Sequence, residues 1–230
     1  MIHYHGTPLT PRSELLKMAG KHFCVSFANP GDADWCLAHG QSVMWDNGAY
    51  SFREKGGLDP KAFARWVAPR LGHPHWAVVP DVINSVEDAQ RELVAAWPHA
   101  RELSAPVWHM DLSIDWLLEL ASEWPKICFG STRQYWQVGS DTWSRRADEA
   151  FNALERRGLR PWVHMLRGLD LAGDKWPFAS ADSVNVARNF KNKGAEQCPE
   201  RMARNIDARQ CPISWTVRPE QTFFGMEVAQ

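Results

Sequence analysis

The sequence predicts an α/β protein, a (β/α)8 TIM-type barrel with a short C-terminal helical, basic extension, and three observations predict it. Eight short β-type runs recur along the 230 residues. Helix-compatible segments separate them, which argues for parallel strands covered by helices. The main rival, an open doubly wound sheet, normally carries a glycine-rich phosphate loop after an early strand, and neither GxGxxG nor GxxxxGKS/T occurs. A chain of this length can bury a full core as one barrel or as two small domains. The expected division is one barrel over residues 1–190 and an extension over residues 191–230 packed on it.

The β-type runs lie at residues 2–5, 22–27, 43–45, 76–80, 106–110, 127–130, 162–166 and 181–186. Helix-compatible segments lie at 13–19, 60–70, 85–97, 113–122 and 142–157. Several open on Ser, Thr or Pro, which suit helix starts: a hydroxyl can accept from a free N–H, and the proline ring presets φ. After Asn189 the character shifts. Phe190-Lys191-Asn192-Lys193-Gly194 is a basic loop, and residues 200–209 read as a helix carrying Arg201, Arg204 and Arg209. That helix is either an ordinary solvated cover for the barrel end or a nucleic-acid contact.

Charge and composition narrow the classes. Lys and Arg number 26 against 27 Asp and Glu, a net charge of −1, so no global field draws the chain to nucleic acid or an acidic membrane, and such binding has to come from a local patch. No apolar run approaches membrane-spanning length. Met1-Ile2-His3-Tyr4-His5 lacks the basic and apolar regions of a secretory signal. A cytoplasmic protein is therefore expected. Cys24, Cys36, Cys128, Cys198 and Cys211 are odd in number and scattered, with no CxxC pair, and read as reduced thiols. Most of the 13 tryptophans stand in apolar strands or helix faces, where packing accounts for them.

In a barrel of this kind the chemistry sits where the strands end. The polar residues there are His3 and His5, Asp46-Asn47-Gly48, Asp81, His109 and Asp111, Gly130-Ser131, His164 and Asp182. One such aspartate is usually a helix cap, but Asp46, Asp81 and Asp182 would share one site. Asp182 opens an apolar strand pattern and Arg188 follows six positions later: a rigid, partly desolvated carboxylate suits a nucleophile, and an arginine fork suits a phosphate. The plain alternative is a turn cap and a solvated arginine. Three acids without an evident metal suit glycosyl chemistry, in which one attacks the anomeric carbon while others protonate or grip the leaving group. If that group is guanine, an ionised aspartate can accept from its N1–H and 2-amino donors, and Asp81 is the candidate.

Asp46-Asn47-Gly48-Ala49-Tyr50-Ser51 resembles the DSGG-aromatic-Gln motif of the tRNA-guanine transglycosylase superfamily. Val79-Pro80-Asp81 resembles its guanine-reading strand end, and Asp182-Ser183-Val184 with Arg188 resembles its nucleophile segment, D-C-V-x-P-T-R. The match spans most of residues 43 to 190, and the three acid motifs carry it. The resemblance implies Asp182 as nucleophile, Asp46 as general acid/base, Asp81 as reader of the guanine edge and Arg188 as a phosphate contact. It also implies Tyr50 stacked on the base with Met165 or Leu166 as the opposite wall, and His109 and a Gly130 backbone N–H facing the base carbonyl. It implies no cofactor.

Departures from the pattern point within that superfamily. Cys198 and Cys211 lie too far apart to imitate its CxCxxC-plus-histidine zinc site, and Asn47, Ala49 and Ser51 replace its serine, second glycine and glutamine. A compact, zinc-free version resembles the phage-type 7-deazaguanine DNA transglycosylase branch. The expected partners are therefore DNA, contacted by Arg188, Lys191 and Lys193, and a free 7-deazaguanine base as co-substrate. With net charge near zero the expected affinity is weak, and a partner protein or a homodimer is the way to raise it. Two further readings compete besides a tRNA-directed enzyme. His3 and His5, at i and i+2 of a strand, with His109, His164 and Asp182, resemble the metal cage of amidohydrolase barrels. A binding module without catalysis would keep Arg188 and the basic tail and have no need of Asp182.

Overall fold

The computed structural model describes residues 1–54, 56–192 and 198–218. Its strands are β1 (Ile2–Gly6), β2 (His22–Ser26), β3 (Ser42–Asp46), β4 (Trp76–Val78), β5 (Ser104–Ala105), β6 (Val107–His109), β7 (Lys126–Gly130), β8 (Trp162–Met165) and β9 (Ser180–Ser183). All pair in parallel, in the order β5-β4-β3-β2-β1-β9-β8-β7-β6. Proline has no N–H to give a ladder, and Pro106 interrupts what is otherwise one stave: β5 pairs with β4, β6 pairs with β7, and the Pro106 carbonyl accepts from Cys128 N–H at 2.8 Å. The nine strands thus form a nearly closed barrel of the (β/α)8 type.

The helices are α1 (Arg12–Leu16), α2 (Ala33–His39), α3 (Ala49–Phe52), α4 (Pro60–Val67), α5 (Glu87–Ala95), α6 (Ile114–Glu123), α7 (Asp141–Arg156), α8 (Asn185–Asn189) and α9 (Pro199–Asp207). Their starts follow the capping chemistry: Asp59 accepts from Lys61 and Ala62 N–H with Pro60 at the first helical position, Ser113 accepts from Trp116 N–H, and Ser140 from Trp143 N–H. Between β8 and β9 a 3-10 turn, Leu169–Leu171, stands in place of a helix. The last expected strand, 181–186, is shorter than its apolar pattern suggests. Ser183 Oγ accepts from Asn185 N–H at 3.3 Å, and the chain turns there into α8, so Val184 and Val186 flank and enter a helix.

Alternation sorts the core. Tyr4, Cys24, Met44, Trp76, Val78, Ala105, Val107 and Cys128 fill the barrel interior. Their sequence neighbours, such as Phe23, Val43, Trp45 and Ala77 on one side and Trp108, Phe129, Val163 and Met165 on the other, fill two cores beneath the helices. The Tyr4 hydroxyl accepts from Trp76 Nε1 at 2.8 Å and from Ser42 Oγ at 3.2 Å, so this buried oxygen is hydrogen-bonded. With Tyr4 inside, His3 and His5 point outward. His3 Nε2 donates to the Arg209 carbonyl (3.1 Å), and His5 Nε2 lies 2.9 Å from Asp207 Oδ1.

Those contacts define the extension. Ala203 and Ile206 of α9 join the core over β1 and β2, and Asp207 binds both His5 and Lys21 (2.7 Å). The arginine-bearing helix therefore lies against the outer face of β1, as part of the helical ring. Farther on, Trp215 packs on Phe151 and its Nε1 donates to Asn152 Oδ1 at 2.9 Å. Among the described residues no helix is long and apolar enough to cross a membrane.

Burial works to raise the Asp207 carboxyl, but hydrogen bonds from His5 and Lys21 outweigh it and hold its pKa below the ordinary value of 3.8. A depressed carboxyl contributes stability above the unfolded value, and the contribution is lost as pH falls through the folded one. Asp207→Asn should therefore cost about 1 kcal/mol near neutral pH. In urea unfolding, that difference should shrink as the pH is lowered below about 4; a deficit of constant size would count against this anchor.

Candidate active site

The inward-facing positions at the strands' C-terminal ends are Ser26, Asp46, His109, Gly130 and Asp182, with Leu166 just beyond β8, where it packs on the inner cluster. Asp46 and Asp182 are inward because Met44, two residues before one, and Ser180, two before the other, are inward. Asp81 lies three residues past β4 and turns toward the same mouth: its Oδ2 is 2.9 Å from His109 Nε2, and its Oδ1 accepts from Asn47 Nδ2 at 2.8 Å.

Asn47 locks the loop after β3. Its Nδ2 also donates to the Val79 carbonyl (2.9 Å), and its Oδ1 accepts from Ala49 N–H (2.7 Å). Gly48 follows at φ 78°, where a Cβ would come within 3.1 Å of Ala28 N, Phe52 and Ser26 Oγ, so glycine is required there. Its N–H reaches Asp46 Oδ2 at 3.1 Å.

Asp46 keeps partial solvent contact but lies deep enough for desolvation to dominate. Burial, with the charges of Asp182 and Asp81 adding to it, pushes its pKa from 3.8 to about 7 against the opposing donors Ser26 and Gly48 N–H. The Cys24 and Cys128 thiols in the barrel interior are pushed up as well, mainly by burial, and both feel the charges of Asp46 and Asp182. The acids thus converge over one interior.

Asp182 is held differently. Its Oδ1 accepts from Arg167 N–H at 2.8 Å and lies 3.3 Å from His164 Nε2. Arg167 takes φ 59°, a left-handed conformation that costs a side-chain-bearing residue about 1–2 kcal/mol. Its guanidinium sits 5.3 Å from the Tyr50 ring centroid and donates to the Ser131 carbonyl at 3.2 Å. Arg53 lies over the same ring at 3.8 Å, and Tyr50 itself is 53 % exposed on α3. His109 is buried, yet its Nδ1 has no partner among the described residues, and its approach to Asp81 is out of line for a hydrogen bond. Gly130 makes room for that ring, since a Cβ would lie 2.9 Å from His109 Nδ1. A cavity of about 280 Å³ opens beside Asp81, between Ala49 and Arg53 on one side and Pro80 and Ile83 on the other. Another, of about 320 Å³, lies on the outer face among Trp97, Trp116 and Trp124 and shares no residue with the acids.

Not every expected residue joins this cluster. Met165 is wholly buried in the outer core, because period two sends His164 and Leu166 inward and Met165 outward; Leu166 alone can face a ligand. His3 and His5 bond to the extension, so the amidohydrolase cage is not assembled, and the described residues contain no group of three or more His, Cys, Asp or Glu placed to hold a metal. Arg188 and Lys191 are exposed, the former on α8, and Lys191 lies 5.3 Å from the Phe190 ring. Lys193 lies outside the described residues. Asp111 is bound by Arg133 Nε at 2.8 Å and by the Thr132 hydroxyl. Sequence reasoning passed over Ser26, although it ends β2 and the strand-end rule would have found it. It also passed over Arg167, whose contribution is a backbone N–H.

A carboxyl raised to about 7 keeps in the folded state a proton that the unfolded chain releases near 3.8, so it subtracts stability increasingly between those values. Asp46→Asn should remove that loss. Relative to wild type, the variant should gain at least about 1 kcal/mol in urea unfolding on going from about pH 5 to about pH 8, and no gain would contradict the raised pKa.

No family model and no curated protein matches this sequence.

Proposed function

We propose that the chain is a guanine transglycosylase that exchanges guanine in DNA for a free 7-deazaguanine base through a covalent aspartyl-sugar intermediate. One observation carries the reading. Two carboxyl groups in one barrel mouth stand in different surroundings: burial raises the Asp46 pKa to about 7, and Asp182 is held at Oδ1 by the Arg167 N–H beside the His164 ring, while its Oδ2 accepts from no described residue. Divergent environments for neighbouring acids support Asp46 as the proton donor and Asp182 as the nucleophile. The resemblance of the Asp46, Asp81 and Asp182 segments to the tRNA-guanine transglycosylase superfamily supports the same assignment.

In this mechanism a guanosine extruded from the strand enters the mouth. Its base lies against Tyr50, with Leu166 opposite, and its donor edge meets Asp81, whose oxygens share the contact with Asn47 and His109. His109 Nδ1, which has no partner among the described residues, is available to the base. Asp182 attacks C1′, and guanine departs as Asp46 gives it a proton. The entering base gives its proton to Asp46 and attacks the same carbon, and two inversions retain configuration. Exchange of one base for another is close to energy-neutral and needs no cofactor. Arg188 and Lys191, with Arg53 and Arg167 at the mouth, offer cations to the flanking phosphates.

Labelled guanine offered with single-stranded DNA, duplex DNA and tRNA tests the reading. Exchange should favour DNA and fall at least about a thousandfold in Asp182→Asn, with the variant still folded. Preference for tRNA would overturn the substrate and leave the chemistry standing; near-wild-type exchange by Asp182→Asn would overturn the chemistry.

A further inference from the structure

Behind Asp182 runs a line of hydrogen bonds that none of the three acid motifs includes. Trp162 Nε1 is 2.7 Å from Ser180 Oγ, Ser180 Oγ is 2.8 Å from His164 Nδ1, and His164 Nε2 is 3.3 Å from Asp182 Oδ1. Ser180 and His164 are wholly buried. An indole N–H can only donate, so Ser180 Oγ accepts from it. If Ser180 also accepted from an Nδ1–H, its own buried proton would have no acceptor among the described residues, and a bare Nε2 lone pair would face the Asp182 carboxylate. The consistent arrangement has Ser180 donating to Nδ1 and His164 donating from Nε2 to Oδ1.

Arg167 N–H meets that same Oδ1 at 2.8 Å, while Oδ2 accepts from no described residue on a side chain 13 % exposed. We infer that Trp162, Ser180 and His164 are positioning residues that, with the Arg167 N–H, hold Asp182 by Oδ1 and leave Oδ2 as its reacting oxygen. This rests on the transglycosylase reading. An Oδ2 lone pair forms the bond to C1′ as the C1′–N9 bond breaks, its electron pair leaving with guanine, which takes a proton from Asp46; Oδ1 becomes the ester carbonyl. When N9 of the entering base attacks C1′, Oδ2 leaves with the bonding pair, and the returning charge spreads to Oδ1, where two donors already stand. Those donors make the carboxylate a better leaving group, so they act chiefly on the second half of the exchange.

The test has one arm that needs no activity. In protein with ¹⁵N-labelled histidine, assigned by comparison with His164→Gln, the His164 resonances should report a protonated Nε2 and a bare Nδ1, and in Ser180→Ala that preference should relax toward a mixture. In the second arm, Ser180→Ala should resolve the covalent intermediate about tenfold or more slowly, so that adduct accumulates while KM is little changed. His164→Gln, whose amide can still donate to Oδ1, should exceed His164→Ala in rate. A protonated Nδ1 in the wild type, or an unchanged resolution rate in Ser180→Ala, would overturn the inference even in an active enzyme. The expected tautomer in a wild-type protein that exchanges no base would instead overturn the transglycosylase reading and the role given to Oδ2, leaving the tautomer standing.

Discussion

Every second side chain of a barrel strand has to fit inside the barrel, and this constraint organises the molecule. In the lower layers it is met by Tyr4, Met44, Trp76 and Val107, and at the C-terminal rim the same inward positions fall to Asp46, His109, Gly130 and Asp182. The acids are therefore brought together by the requirement that builds the core. A one-residue slip in β3 or β9 would place Trp45 or Ala181 inside and send the carboxylates among the helices. The outward set is equally determined: His3 and His5 cannot join the site while Tyr4 fills the centre, and they bind the extension to β1.

Convergence over a desolvated interior then separates the acids electrostatically. Burial disfavours the charged form of a carboxyl, and neighbouring like charges add to that effect. At Asp46 burial, with the charges of Asp182 and Asp81 adding to it, outweighs a hydroxyl and one backbone N–H, and the pKa rises to about 7. Asp182 has a backbone N–H and a buried imidazole on a single oxygen. Asp81 divides its two oxygens between Asn47 and His109. Residue type is the same in all three, and burial together with the local partners makes their surroundings differ.

The fold was legible because it is written as pattern. All eight staves were visible as short β-type runs, and caps such as Ser113 marked helix starts. The last stave was overextended because Val184 and Val186 look like strand residues, whereas Ser183 ends the pairing by capping the turn into α8. The short helices α2 and α3 carry too few turns to display a period. In the site, the three aspartates were legible as strand-end acids. That His3 and His5 share a face was legible too, but which face depends on Tyr4 meeting Trp76 and His164 across the barrel. Arg167 was not legible, because any residue has a backbone N–H and only the path of the chain aims it at Asp182.

The central claim is that Asp182 becomes covalently joined to the sugar while the base is exchanged. Wild-type protein incubated with guanine-containing DNA, denatured, digested and mapped by mass spectrometry tests it directly. The account predicts a base-free deoxyribose-linked strand on the peptide holding Asp182, which disappears when a 7-deazaguanine base is added before denaturation. An adduct on a different side chain in protein that exchanges the base would contradict it.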